Sequence, residues 1–172
     1  MQIIDLSVTI QDKMAVYPGD PEVRVEVVQT LEQHTWELRR LSLGTHTGTH
    51  VDAFSHMHAG GKTIDEIPLQ QFFGRAIVAD VQQDFPVATG LFFTGAAGVE
   101  LLERIVAASP PFVGGTLTVE LERALLQAGI VTYTDLVNLE LLPVQVPFMF
   151  YGFPLKIRNG DGSPVRAVAV LA

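Results

Sequence analysis

The chain contains no cysteine among its 172 residues. Disulfides and thiolate metal ligands are therefore excluded, and any bound metal must be held by nitrogen and oxygen. No apolar run approaches the ~20 residues that span a bilayer. The opening residues Met1-Gln2-Ile3-Ile4-Asp5 lack a basic stretch followed by an apolar one. No signal peptide or membrane anchor is expected, and the chain is assigned to the cytoplasm. Positive charge is scarce too, with 11 Lys and Arg against 19 Asp and Glu and a net charge of −8. That balance argues against nucleic acid as a partner, which calls for a basic patch. Apolar residues, by contrast, are plentiful at 48%, and mean hydropathy is +0.30. Such a chain is globular and long enough to bury a core, which predicts one domain over 1–172.

Histidine is unevenly spread. Four of the five histidines fall between His46 and His58, in the run His46-Thr47-Gly48-Thr49-His50-Val51-Asp52-Ala53-Phe54-Ser55-His56-Met57-His58. Neutral imidazoles and a carboxylate are what borderline divalent ions bind. His46, His50, Asp52 and His56 are all even-numbered. In an extended segment they share one face, with Gly48 leaving room between the first two. A helix fits less well. It would turn Asp52 roughly 200° from His50, and Thr47, Gly48, Thr49 and Val51 are weak helix formers. The bland alternative, a polar strand facing water, suits a lone histidine better than four in one register.

The rest of the chain reads as a mixed α/β layer fold. Strands are expected over 3–10, 23–27, 39–43, 75–81, 91–93 and 130–133, the third running straight into the histidines. Tyr17-Pro18-Gly19-Asp20-Pro21 reads as a rigid turn. Helices are expected over 63–73, 99–108 and 118–128. The last has Leu121, Ala124, Leu125 and Ala128 on one side and Gly129 as its stop. The C-terminus reads as a hairpin, 155–158 with 165–170, about the turn 159–164. Asp161 is expected as a turn former, His58 as a loop residue, and His34 as exposed or at an interface.

The histidine run resembles the cyclase family of metal-dependent hydrolases, which includes bacterial kynurenine formamidase and isatin hydrolase. The family signature H-x-G-T-H-x-D-x-P-x-H stands here as His46 to His56, with Phe54 in the proline position. Supporting blocks are Asp5-Leu6-Ser7, Tyr17-Pro18-Gly19-Asp20, Leu136-Val137-Asn138-Leu139, Leu155-Lys156-Ile157 and Gly160-Asp161-Gly162-Ser163-Pro164-Val165-Arg166-Ala167. The resemblance thus runs along nearly the whole chain. It implies the mixed-sheet swivelling β/β/α layer fold and metal-dependent hydrolysis of a small amide or lactam. It implies His46, His50 and Asp52 as metal ligands and His56 as proton donor and acceptor. Tyr17 and Phe54 would line the substrate pocket, and the chain would form a homodimer or homotetramer.

Two departures bear on activity. Family members supply further ligands from a later histidine and, twelve residues on, a glutamate. Those positions hold Glu122 and Thr134 here, and no histidine follows His58. The chain is also a few dozen residues short between Thr94-Gly95 and Gly114. The expectation is one divalent ion per chain, Zn²⁺ or Mn²⁺, with Glu122 a weaker candidate ligand weighed against a solvated helix flank. The alternative function is a family member that has lost catalysis and serves as a binding or structural protein.

Overall fold

The structure is a computed structural model and describes residues 1–171. In chain order the elements are β1 (Gln2–Asp5), β2 (Arg24–Gln29), α1 (Leu31–His34), β3 (Leu38–Ser42), β4 (His50–Asp52), β5 (Phe73–Val78), β6 (Gly90–Ala97), α2 (Leu102–Ala108), β7 (Phe112–Leu117), α3 (Val119–Gln127), β8 (Val131–Thr134), β9 (Phe148–Tyr151), β10 (Gly162–Pro164) and β11 (Val168–Leu171). Among the described residues, nine strands form one mixed sheet in the order β1-β11-β9-β5-β6-β7-β8-β4-β10. Its centre, β5 to β8, is parallel. Its flanks are antiparallel. β2 and β3 pair only with each other.

Parallel strands are covered on both faces, so their sequences are apolar without alternation. Leu91, Phe92 and Phe93 are consecutive and all buried. One face carries Phe92, Phe112, Tyr133 and Phe150. The other carries Leu91, Phe93 and Val113, packed under Ile105 of α2 and Leu121 and Leu125 of α3. α3 starts where Thr118 Oγ1 accepts the Leu121 N–H at 3.3 Å. It stops at Gly129, whose φ of 78° satisfies the last carbonyls.

The mixed α/β architecture is as expected, but several elements differ. The region 63–73 is not a helix. It is a turn followed by a 3₁₀ segment, Leu69–Gln71, because Pro68 cannot donate to a helix and pushes its predecessor out of the α region. The first strand ends at Asp5. The C-terminal hairpin does not form. β10 pairs with β4, and β11 lies between β1 and β9. Only the Pro154–Val165 bridge remains of it. Alternating residues mark a strand but do not choose its partner. The extended histidine run is also broken, with strand at His50–Asp52 only, a turn before it and a 3₁₀ turn, Phe54–His56, after it.

The termini brace this region. Asn138 Nδ2 donates to the Asp5 carbonyl at 2.8 Å, and the Val137 N–H donates to the Leu6 carbonyl at 3.0 Å. Arg166 holds both carboxylate oxygens of Asp5, at 2.9 and 2.7 Å. Three of the sequence blocks named above therefore meet in one scaffold beside β4 and β8.

Candidate metal centre

β4 lies between β8 and β10, and its pleat sorts its three residues. Val51 faces the core with Tyr133. His50 and Asp52 face the other way, opposite Thr134 and Thr132 of β8. Thr132 Oγ1 donates to Asp52 Oδ2 at 2.8 Å, and Thr134 Oγ1 donates to the same oxygen at 3.3 Å. Asp52 is 1% exposed, and its second oxygen, Oδ1, is turned toward His46 and His50.

Two turns bring the remaining rings to that oxygen. Gly48, at φ +61°, reverses the chain between His46 and His50, and a Cβ there would meet Val8 Cγ2 at 2.9 Å. His46 folds back and places Nδ1 2.8 Å from Asp52 Oδ1. Gly162 on β10 makes the space, since a Cβ would lie 2.5 Å from His46 Cε1. The 3₁₀ turn after β4 lays His56 against His46, with ring centroids 3.8 Å apart. Ligand atoms of His46, Asp52 and His56 all lie within 4.8 Å of one another. The even-number parity thus holds for His50 and Asp52, while turns deliver His46 and His56.

The outer nitrogens are tied down. His50 Nδ1 donates to the Gly48 carbonyl at 2.6 Å, which turns Nε2 toward Asp52 Oδ1, 3.5 Å away. His46 Nε2 lies 3.0 Å from Asp161 Oδ2, and His56 Nδ1 lies 3.6 Å from the same oxygen. Asp161 Oδ1 accepts from Thr45 Oγ1 at 2.8 Å. Asp161 is therefore more than the turn former expected from its Gly-Asp-Gly setting. Residue spacing gave no sign of this, because the contact spans 115 positions.

These groups set one another's charge. Burial opposes the charged form of His46, but hydrogen bonds to Asp52 and then Asp161 outweigh it and raise its pKa to about 9. Burial would raise Asp52, yet the His46 hydrogen bond and the His50 and His46 charges hold it well below the usual range. Burial, then the His46 charge, lowers His56 below 6.5, so it is neutral at pH 7. Glu122 on α3 is not a solvated flank. Its Oε1 accepts from Thr134 Oγ1 at 3.2 Å. Burial and then the Asp52 charge raise its pKa to about 7.

A pH dependence follows for the metal-free protein. A raised pKa means that the folded state binds more protons than the unfolded one, so stability falls as pH rises through that window. For His46 the contribution is fully present below 6.5 and lost as pH passes about 9. Glu122 acts in the same direction between 4.5 and about 7. The lowered pKa of His56 acts in the opposite direction up to about pH 6.5, so urea midpoints measured in chelator are expected to fall clearly only from pH 7 to pH 9.5. A flat profile would contradict the His46 ion pairs.

The other candidates are placed as follows. Tyr17 is 76% exposed at its turn. Phe54 is half-buried and packs against the main core. His58 bonds the Arg123 carbonyl through Nε2 at 2.7 Å and so ties the loop to α3. His34 Nδ1 accepts the Thr30 N–H at 3.2 Å. A cavity of about 430 Å³ at the ends of β6, β7 and β8 is lined by residues including Thr94, Thr116, Thr134, Asp135 and Glu140. It adjoins the centre through Thr134.

Comparison with known proteins bears on the family and the fold. The Cyclase family model matches residues 4–108. A kynurenine formamidase of Salinibacter ruber is 32% identical over 98% of this chain and 97% of its own length. That alignment runs over 216 positions, so the relative carries several dozen residues that this chain lacks. Isatin hydrolase A from Labrenzia aggregata shares the fold with a TM-score of 0.79 at 23% identity, covering 98% of this chain and 93% of that one. A structure described as a potential metal-dependent hydrolase with cyclase activity superposes with a TM-score of 0.75 at 21% identity, covering 98% and 96%. With the signature residues, the sheet and a near full-length relative in agreement, the chain belongs to the cyclase family of metal-dependent hydrolases.

Proposed function

We propose that the chain is a metal-dependent hydrolase of a small amide, with a formyl-amide, an isatin-like lactam or another cyclic amide as substrate. One observation carries the reading. His46 Nδ1 and His50 Nε2 both face Asp52 Oδ1, at 2.8 and 3.5 Å. Nitrogen lone pairs and a carboxylate oxygen repel unless a cation, a proton or a metal ion, lies among them. Two imidazoles and a carboxylate are a fitting donor set for Zn²⁺ or Mn²⁺. The names of the kynurenine formamidase relative and the isatin hydrolase neighbour support the amide class.

In this reading His46, His50 and Asp52 hold one ion per chain. When bound, it supplies Lewis acidity, which polarises a carbonyl and acidifies water. The protein's own groups do the rest. His56 is neutral at pH 7, so it can take a proton and return it to the leaving nitrogen. Its Nδ1 side is turned to Asp161, which leaves Nε2 for the substrate. Phe54 beside it and Tyr17 on its turn would contact the substrate. Glu122 is near enough to serve a second ion, but Thr134 is neutral where family members have a carboxylate, so single occupancy is favoured. That His46, His50 and Asp52 still bring three candidate ligand atoms together supports an intact centre over a binding protein that has lost it. β1 pairs with β11, so both ends of the chain enter one sheet, which supports a single cyclase-like domain. A cytoplasmic homodimer or homotetramer completes the proposal.

The test is elemental analysis of protein purified without added metal, followed by a screen of formyl-amide, lactam and isatin substrates. About one ion per chain is expected, with activity lost in chelator and restored by Zn²⁺ or Mn²⁺. Two ions would bring Glu122 into the ligand set. No uptake of supplied metal would sink the hydrolase.

A further inference from the structure

The geometry points to Asp161 as the positioning residue that orients both the metal ligand His46 and the proton shuttle His56 through one carboxylate oxygen. The inference rests on the metal-centre reading above. Asp161 touches neither Asp52 nor His50 in the hydrogen-bond network, so it acts only through the two rings.

An imidazole that donates one ring N–H to a fixed acceptor presents the other nitrogen as a lone pair. His50 achieves this with the Gly48 carbonyl. His46 achieves it in the opposite sense, with Nε2 toward Asp161 Oδ2 at 3.0 Å and Nδ1 toward Asp52. The two histidines thus use different nitrogens, and each outer nitrogen has a different anchor. The His46 anchor carries charge, which also makes the ring more basic toward a cation.

The carboxylate is itself held. Its Oδ1 accepts from Thr45, the residue beside His46, at 2.8 Å. Its backbone carbonyl accepts the Ala53 N–H at 2.9 Å, which docks the 160–162 loop onto the end of β4. Those anchors leave Oδ2 in place between the two rings, 3.0 Å from His46 and 3.6 Å from His56 Nδ1. The His56 ring lies against His46, centroids 3.8 Å apart and tilted by 34°, so a shift of one moves the other.

The Asp161 side chain is 47% exposed, so replacing it removes an anchor without opening the core. The test compares wild type, Asp161→Ala, Asp161→Asn and Thr45→Ala by Zn²⁺ titration, by kcat at saturating Zn²⁺ and by ¹⁵N spectra of the histidine rings. Wild-type protein loaded with Zn²⁺ is expected to keep a proton on His46 Nε2. Asp161→Ala is expected to bind Zn²⁺ about 10–100-fold more weakly, the usual loss when the partner of a ligating histidine is removed. It should also show a lower kcat when Zn²⁺ is saturating, because His56 has lost the carboxylate 3.6 Å from its Nδ1 and the fixed His46 ring it lies against. Asp161→Asn keeps an acceptor without the charge and should fall between. Thr45→Ala leaves the carboxylate but frees it to swing, and should show a smaller loss of the same kind. A His46 protonated at Nδ1 in the loaded protein would overturn the role. So would Asp161→Ala binding Zn²⁺ within twofold of wild type. A wild type that takes up no Zn²⁺ sinks the metal centre, and this role with it. A wild type that binds as tightly as its Asp161→Ala variant sinks the role alone.

Discussion

His50→Ala is expected to yield a folded protein that no longer retains its ion or hydrolyses amides. His50 is 7% exposed, donates one hydrogen bond to the Gly48 carbonyl and otherwise faces Asp52 and the His46 ring. Structural Zn²⁺ sites bind with about 10–16 kcal/mol over four ligands. One ligand is then worth roughly 3 kcal/mol, or about a hundredfold in affinity. The fold should bear the change, since the cost is a small cavity and an orphaned carbonyl, about 1–3 kcal/mol. Elemental analysis, Zn²⁺ titration and thermal melts together check the result. Full metal content in the variant would show that the ion lies elsewhere, most plainly on His46, Asp52 and His56, whose ligand atoms also cluster.

His56→Gln is expected to separate chemistry from metal binding. A positioned acid–base group contributes about 10²–10⁴ in rate. kcat/KM should fall by that factor while the ion content stays at the wild-type level. Glutamine fits the 3₁₀ turn, and the ring it replaces is partly exposed, so folding should not suffer. The pH profile adds a sign. Burial lowers the His56 pKa below its usual value, and a cation bound at His46 would act in the same direction as the His46 charge of the metal-free protein, so a base of this kind is active from below neutrality upward. Loss of the ion in His56→Gln would make His56 a ligand and require another proton carrier.

Much of the centre was legible in the residue order because it is local. His50 and Asp52 are two apart on one strand, and a period of two puts them on one face whatever the rest of the chain does. Glu122 and Thr134 were paired by their family spacing, and they meet at 3.2 Å. α3 was legible because its apolar residues recur at helical spacing between Thr118 and Gly129. β7 and β9 were not named in advance. Phe112–Leu117 contains two glycines, and Phe148–Tyr151 follows a proline, so neither shows a strand pattern of its own. Both are strands because the parallel centre and the antiparallel flank supply their hydrogen bonds.

Asp161 shows the other limit. A Gly-Asp-Gly segment reads as a turn, and it is one, but β10 pairs with β4 rather than folding back on residues 155–158. That choice carries Asp161 to His46 and gives Gly162 its function as the gap that admits the ring. By itself, then, the sequence determined the family, the oxygen and nitrogen character of any metal site, and the face shared by His50 and Asp52. The family rests on the match of His46 to His56 and its supporting blocks to a known signature, the ligand character on the absence of cysteine, and the shared face on the fixed pleat of a strand. Tertiary structure decided which nitrogen each histidine turns inward, which carboxylate holds the outer edge, and where His56 stands. Those depend on strand partners and turn reversals between residues up to 115 positions apart, which local pattern does not encode.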